Sequence, residues 1–553
     1  MPHTDPKDNQ ILKLQKENER LKKQLTKFGK DKYGLFWFDV PEGFEDDVEN
    51  MLPILEEVPK LAIKSKDDKP THILIEGDNY HALTCLNYTH NGKIDVIYID
   101  PPYNTGSDGF KYKDKRILKK YPDGTEVPVD HPLRHSYWLS FMRKRLELAR
   151  DILKETGLIF ISIDDNELAQ LKLLCDEVFV ERNFVNIIIW KKTNSPKAQA
   201  TGLGNQHEYV LMYAKNITKL NLNKRIGVIT NEYKKMFSNN DNDGRGLYRT
   251  IEIEAHGIQN NENRKKFKFH GRLAPWLYSK KTLEDWWKDS RIYTSKTGRF
   301  RKKEYLNEIE GRLVSDLWVD EEIKPLQGGS LEYLDFATQK PISLIKRVIK
   351  LCSDNQIILD FFAGSGTTGG AVMELNQEDN GKRQFILITN NDEVINGKKH
   401  KIMTDTCYPR IKNAIKGRSN KKGLGNSIKY YKTAFVGKNN ILNADDKDKI
   451  ELAHNAGGML AIAENTLEEI EKNNYYQIFE NEKQYTAVYF KEEFDKFDGF
   501  IKRIRSLKKP VAVYIFSWEK EMEFNEFEDD KNIAIKTIPQ PILEIYKQIY
   551  NLV

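Results

Sequence analysis

The run Ile94-Asp95-Val96-Ile97-Tyr98-Ile99, almost wholly β-branched or aromatic, ends on Asp100-Pro101-Pro102-Tyr103. A short block of that composition reads as a strand buried on both faces, the form found inside a parallel sheet. The two prolines then forbid helix and further ladder bonding, so the chain must leave the sheet as a stiff extended turn. A buried parallel strand needs flanking strands and covering helices, and the surrounding sequence has that pattern. Strands are predicted at Thr71–Glu76, Leu158–Ile163, Val185–Trp190 and Glu208–Tyr213, with helices at Asn79–His90, Tyr137–Glu155 and Glu167–Phe179. The alternation resumes later with a helix at Lys340–Cys352, a strand at Gln356–Asp360, a helix at Gly366–Leu375 and a strand at Phe385–Thr389. The fold class is therefore α/β with a largely parallel sheet.

At 553 residues the chain exceeds one ordinary core, and two to four domains are expected. Its four cysteines form no Cys-x-x-Cys unit, which excludes a disulfide scaffold and a zinc ribbon, and no metal site is expected. The first thirty or so residues are polar, and no run of about 18 apolar residues occurs, so the expectation is a cytoplasmic protein with no membrane partner. The net charge of +6 says little, but residues 191–330 hold 27 Lys/Arg against 17 Asp/Glu. Aromatics are interleaved there: Phe267, Phe269, Trp276, Tyr278, Trp286, Trp287, Tyr293 and Phe300. Basic side chains suit phosphates and aromatic faces suit bases, although an ordinary solvated insertion has the same composition. Near the N-terminus, Ile11, Leu14, Asn18, Leu21, Leu25 and Phe28 form a heptad seam within residues 8–29. This fits either a short coiled coil that sets a dimer or one amphipathic helix lying on the body.

Two stretches carry chemistry. A strand ending at Asp100 delivers a carboxylate to the carboxyl edge of the sheet, where open α/β folds place ligands. The Pro101-Pro102 turn adds backbone carbonyls that no strand claims, and Tyr103 adds an aromatic face. Together they suit an amine whose lone pair is delocalised into a ring: Asp100 and the Pro101 carbonyl can bond its two N–H groups, and Tyr103 can stack on the ring. The second stretch is Asp360-Phe361-Phe362-Ala363-Gly364-Ser365-Gly366-Thr367-Thr368, a strand end, a Gly-x-Gly turn and a helix start. Glycines there permit close backbone approach to a ligand. The absence of Gly-Lys-Ser/Thr excludes a phosphate-loop NTPase.

Together the two stretches resemble the amino-methyltransferases of DNA, whose signatures are Asp/Asn/Ser-Pro-Pro-Tyr/Phe/Trp and Phe-x-Gly-x-Gly. Here the tetrapeptide precedes the glycine turn by about 260 residues, with the basic insertion between them, which resembles the circularly permuted beta class. Ile75 to Leu83 resembles the family's strand-end acidic motif, His135 to Leu146 the helix after the catalytic loop, and Gly157 to Glu167 the next strand and its acidic end. Phe336 to Pro341 resembles the segment that closes over the methionine moiety. The resemblance covers roughly residues 70–215 and 333–416. Within the class, the length and the Asp-Pro-Pro-Tyr-Asn-Thr-Gly form are most similar to modification subunits of type III restriction–modification systems.

The resemblance implies a Rossmann-like, S-adenosylmethionine-dependent, circularly permuted sheet. It divides the chain into an N-terminal helix (1–32), a catalytic half (33–195), an inserted target-recognition domain (196–332), a cofactor half (333–422) and an α+β C-terminal extension (423–553). The implied activity is methyl transfer from S-adenosylmethionine to N6 of a flipped adenine in double-stranded DNA. Asp100, Pro101, Pro102 and Tyr103 are the implied catalytic residues. Asp78, Lys340, Asp360, Phe362, Ala363, Gly364, Ser365, Gly366, Thr367 and Asn390 are the implied cofactor residues. Relatives often carry an acid where Asn390-Asn391-Asp392-Glu393 follow the strand, so the ribose contact falls to one of these four. Implied partners are a second copy of the chain and a helicase-nuclease restriction subunit. The competing readings are a solitary adenine methyltransferase, a cytosine-N4 enzyme, against which Asp100 speaks, an RNA-modifying enzyme and a non-catalytic recognition subunit.

Overall fold

The computed structural model describes residues 51–543 with interruptions, the longest at 107–115, 256–265, 324–338, 438–445 and 517–526, together with Glu19, Trp37 and Asp39. Apart from Glu19, the heptad segment lies outside the described residues, and so do residues 336–338 of the Phe336–Pro341 stretch. Two compact units are resolved, one formed by Met1–Leu222 with Asp316–Val553, the other by Asn223–Ser315.

The larger unit is organised by a ten-stranded sheet. In chain order its strands are β1 (Met51–Glu57), β2 (Thr71–Glu76), β3 (Ile94–Ile99), β4 (Leu153–Ile163), β5 (Phe184–Lys191), β6 (His207–Ala214), β7 (Leu317–Trp318), β8 (Ile357–Asp360), β9 (Gln384–Thr389) and β10 (Ser427–Gly437). Their spatial order is β1-β10-β2-β9-β8-β3-β4-β6-β5-β7. The six strands from β10 to β4 run parallel, while β1 and β6 join antiparallel at the two sides. Central positions such as Leu74, Ile97, Ile161, Leu359 and Leu387 have no exposed surface, as strands covered on both faces require.

Sequence order and spatial order part company at β8 and β9, which lie between β2 and β3. Ile358 pairs with Val96 and Leu359 with Ile97. The strand leading to the glycine turn is thereby the direct parallel neighbour of the strand leading to Asp100, so both turns leave the same sheet edge side by side.

The predicted helices are present as α1 (Asn79–His90), α2 (Ser136–Ile152), α3 (Leu168–Phe179), α4 (Ile342–Lys350) and α5 (Thr367–Asp379), followed by α6 (Tyr408–Lys416). Helix α2 packs against both α1 and α3, and α4 packs against α5. Strand β4 begins five residues earlier than predicted, because the polar stretch Lys154-Glu155-Thr156-Gly157 hides a pairing of Leu153 with Ile94. Strand β1 contains Pro53, which is tolerated because this strand is at the edge and has only β10 as partner.

The C-terminal part is woven into this unit. Strand β10 pairs with β2 from Ser427 to Lys432 and with β1 along its whole length. A helix at Asp446–Ala463 packs on β1 and α1. It leads to a five-stranded sheet of Glu468–Lys472, Tyr476–Glu480, Tyr485–Tyr489, Val511–Ile515 and Ile533–Ile535. Met459, Leu460, Val488, Phe490 and Tyr514 share one buried cluster with Leu83, Leu86 and Ile386. Among the described residues, no helix is long and apolar enough to cross a membrane.

The smaller unit has a three-stranded antiparallel sheet (Tyr248–Glu252, Ile292–Thr294, Phe300–Tyr305), a hairpin of Lys266–Phe269 with Arg272–Pro275, and a helix at Lys280–Lys288. Ile253, Phe269, Ala274, Trp276, Leu283 and Phe300 form its core. Phe269, Trp276 and Phe300 are therefore not surface contacts, as the composition had suggested; a unit this small needs its large aromatics inside. Tyr278 and Trp287 keep more than a third of their surface exposed.

Because β10 lies between β1 and β2, ending the chain at residue 423 is expected to unfold the larger unit rather than merely remove an extension. A circular-dichroism melt of that truncation should lack the cooperative transition of the full chain. A melt superimposable on the full chain's contradicts this placement.

Candidate active site

The carboxyl edge between β3 and β8 opens into a cleft lined by residues of both turns. Of the residues expected to touch a cofactor, Asp78, Lys340, Asp360, Phe362, Ala363, Gly364, Ser365, Thr367 and Asn390 line it. Of the tetrapeptide, Asp100 and Pro102 line it. Pro101 and Tyr103 are not among its lining residues. Gly366 does not line the cleft; it starts α5 at a φ of 77°, with its N–H bonded to the Ala363 carbonyl at 2.7 Å. A Cβ at Gly366 would stand 3.0 Å from Cys407 Sγ. Gly369 completes a Gly-x-Gly-x-x-Gly spacing, so spacing alone does not distinguish this turn from a dinucleotide site. In the structure Gly369 serves helix packing, since a Cβ there would lie 2.6 Å from Ile411 Cδ1.

Each turn is fixed from several sides. Trp138 on α2 donates its indole N–H to the Pro102 carbonyl at 2.7 Å, and Asn79 on α1 donates to the Phe361 carbonyl at 2.9 Å. Asp78 caps α1 by accepting from the Tyr80 N–H at 2.8 Å. The guanidinium of Arg145, fully buried, pairs with Asp78 at 3.3 Å and lies 3.8 Å from the centre of the Phe141 ring. After β9, the side chain of Asn391 turns away to accept from the Thr404 N–H at 3.1 Å, while Asn390 faces the cleft.

Asp100 belongs to a four-part cluster. Its Oδ1 accepts from the Tyr103 hydroxyl at 2.7 Å, and Lys340 Nζ lies 2.9 Å from its Oδ2. Lys340 also lies 3.4 Å from Glu208 on β6, whose Oε2 is 3.3 Å from the same Tyr103 hydroxyl. Lys192 pairs with the other Glu208 oxygen. Burial pushes the Asp100 carboxyl up, and neighbouring Glu208 adds to this, while Lys340 and the hydrogen bonds only partly offset them. Burial acts on Glu208 in the same sense, but Lys340 and Lys192 outweigh it and hold that carboxyl down. The two acids are thus pushed apart in character: Glu208 is the fixed anion and Asp100 the more basic acceptor. Burial, together with Asp100 and Glu208, keeps the Tyr103 hydroxyl protonated and able to donate.

Glu208 escaped the sequence reading, although a signal existed. It is an acid on an otherwise mostly apolar strand, and a buried carboxylate requires a cation near it. Which cation could not be read, because Lys340 is 132 positions away.

Asp360, at the end of β8, is the second unusual acid. Its Oδ2 accepts from the Thr368 hydroxyl at 2.6 Å and its Oδ1 from the Phe362 N–H at 3.0 Å. Burial nonetheless pushes its carboxyl up to about 7 from 3.8. Between those values Asp360 is protonated in the fold and ionised in the unfolded chain, so it makes stability fall as pH rises. Without ligand, Asp360→Asn should therefore gain on the parent chain by about 4 kcal/mol between pH 4 and pH 8. Urea unfolding at the two pH values measures this, and parallel shifts at both contradict it.

A family model for DNA methylases of the N6/N4 type matches residues 94–400, more than half of the chain. The Mod subunit of the type III restriction-modification enzyme StyLTI from Salmonella typhimurium is 33% identical over 436 residues, covering 71% of this chain and 65% of that protein. The EcoPI Mod subunit of Escherichia phage P1 is 30% identical over 443 residues, covering 69% and 67%. The type II methyltransferase M.KpnI of Klebsiella pneumoniae is 30% identical over 372 residues, covering 59% and 82%. The matched part of this chain thus spans about two thirds of the length of the two type III subunits. The family match takes in the Asp100 turn, the insertion and the Asp360 turn together, and the chain belongs to the N6/N4 DNA methylase family.

Proposed function

We propose that this protein transfers a methyl group from S-adenosylmethionine to N6 of adenine in double-stranded DNA. The observation that carries the reading is the shared cleft, into which the Asp100 turn and the glycine turn both open from adjacent parallel strands. The cleft fits this cofactor. Phe141, Phe361 and Phe362 contribute apolar lining, and Asp78 and Asn390 contribute polar groups for hydroxyls or amines. The raised carboxyl of Asp360 suits a cationic ligand, whose charge would offset the cost of burial and restore the ionised form. When bound, S-adenosylmethionine supplies a methyl group on a positively charged sulfur.

The chain's own residues do the rest. Asp100 and the Pro101 carbonyl accept the two N–H groups of the target amine, drawing its lone pair out of the ring. Tyr103 and Lys340 hold the Asp100 carboxylate in one orientation, so little reorganisation is needed when the base arrives. The proton that N6 sheds passes to Asp100, whose raised basicity suits it. Adenine N6 inside a duplex cannot reach this cleft, so the base must leave the stack. An acid at position 100, rather than serine, favours adenine over cytosine N4.

The StyLTI and EcoPI relatives support a role as the modification subunit of a type III restriction–modification system; the cytoplasmic homodimer and the helicase-nuclease partner that complete this proposal rest on the sequence resemblance alone. The target-recognition role falls to the insertion expected at 196–332. The likeness to M.KpnI, of which a larger share is covered, favours a second reading in which the protein works without such a subunit.

Asp100→Ala should lower single-turnover methylation by about 10²- to 10⁴-fold while leaving the cofactor Kd unchanged. Methyl transfer at the wild-type rate overturns the assignment of Asp100. Gly364, at a φ of 48°, sits where the backbone bounds the cleft. Gly364→Asp should abolish cofactor binding in calorimetry, and unchanged affinity removes this turn from the cofactor site.

A further inference from the structure

The function described so far leaves Asn104, the residue after the tetrapeptide, without a role. It is nearly buried and holds a left-handed φ of 59°, a conformation that asparagine adopts more readily than most side chains. Its Nδ2 donates to Glu167 Oε1 at 2.6 Å, and its Oδ1 accepts from the Arg116 backbone N–H at 2.8 Å. The second bond ties Asn104 to Arg116, which itself lines the cleft.

The anchor is equally specific. Glu167 is fully buried and stands at the N-cap of α3, yet its side chain makes no cap hydrogen bond. It turns inward, and the same Oε1 that holds Asn104 also receives His135 Nδ1 at 2.7 Å. Its Oε2 is buried with no hydrogen-bond partner among the described residues. His135 opens α2, the helix whose Trp138 holds the Pro102 carbonyl, and Gln170 of α3 lies 3.4 Å from its other ring nitrogen. Asn104 from the tetrapeptide turn and His135 from the start of α2 thus meet on a single carboxylate oxygen of α3's N-cap residue, while Asn104 holds the Arg116 N–H on its own amide oxygen. A surface turn needs no such anchor. A turn that must present Asp100 and the Pro101 carbonyl to a mobile base does need one, since misplacement by about 1 Å costs on the order of 100-fold in rate.

We infer that Asn104, anchored by Glu167 and His135, is a positioning residue for the transfer step: it locks the turn carrying Asp100 and ties it to Arg116. This inference rests on the reading of Asp100 as the amine acceptor. Because Asn104 is buried, it acts through that turn and touches neither DNA nor cofactor directly.

Asn104→Gly keeps the left-handed backbone at no steric cost and removes both hydrogen bonds. Its single-turnover kcat should fall by about 10- to 100-fold, with the DNA KM and the cofactor Kd unchanged. Asn104→Asp should fall at least as far, because it sets a second carboxylate against Glu167. Adding Glu167→Gln reverses the polarity of the contact. The introduced amide has two N–H groups, one for the introduced carboxylate and one for the His135 ring nitrogen, so the pair should recover at least tenfold over Asn104→Asp alone.

A wild-type kcat for Asn104→Gly overturns the inference, as does a loss confined to melting temperature, KM or cofactor affinity. If Asn104→Gly fails to fold, the paired substitutions decide: recovery supports the inference and no recovery overturns it. Asp100→Ala in the same assay separates the two readings. Full activity there defeats the assignment of Asp100 itself, whereas an inactive Asp100→Ala beside a fully active Asn104→Gly defeats only the role of Asn104.

Discussion

Pairing of Ile358 and Leu359 with Val96 and Ile97 is the contact on which the rest of the site depends. Two strands separated by about 260 positions in sequence become parallel neighbours, and parallel neighbours end at the same edge of a sheet. Everything chemically distinctive follows from that adjacency: Asp100 and Asp360 open into one cleft, and residues of the turns after them line it. A chain order that puts the Asp100 strand before the glycine-turn strand is compatible with this geometry because a sheet edge is defined by spatial order, not by chain order. In sequence the separate compact unit, Asn223–Ser315, falls between β6 and β7, outside the run of central parallel strands.

Once the edge is formed, burial decides the electrostatics. Three acids at the end of the sheet lose water, and they respond differently because their neighbours differ. Glu208 faces Lys340 and Lys192 and stays a firm anion. Asp100 shares Lys340 and sits beside Glu208, so its basicity rises. Among the described residues Asp360 accepts from neutral donors, Thr368 and the Phe362 N–H, and burial raises it to about 7. These differences assign different work to three similar side chains: a fixed counter-charge, an acceptor for a weakly basic amine, and a carboxyl poised for a cationic ligand.

Much of this was legible in the sequence, for identifiable reasons. A buried strand followed by Asp-Pro-Pro-Tyr is local, and so is a strand that runs into Gly-x-Gly, so the strands and turns around Asp100 and Gly364 were readable from contiguous residues. Strand β10 was not, because Ser427-Ile428-Lys429-Tyr430-Tyr431-Lys432 mixes lysines with apolar residues and reads as a surface segment. The Lys429 and Lys432 ammoniums reach Glu57 and Glu76 instead of the core. Glu208 was hidden because its meaning depends on Lys340, and Asn104 because its anchor Glu167 lies 63 residues away. The aromatics of the insertion show the converse limit. Their composition suggested a binding face, but Phe269, Trp276 and Phe300 are consumed by the unit's own core.

The central claim is that a cleft built from these two turns methylates adenine at N6 within a defined DNA sequence. Single-molecule long-read sequencing of DNA from cells that express this protein, beside cells that lack it, tests the claim most directly. N6-methyladenine at one recurrent sequence motif, present only with the protein, is the predicted result. Methylation at cytosine N4 instead, or no modified base in either sample, contradicts the account.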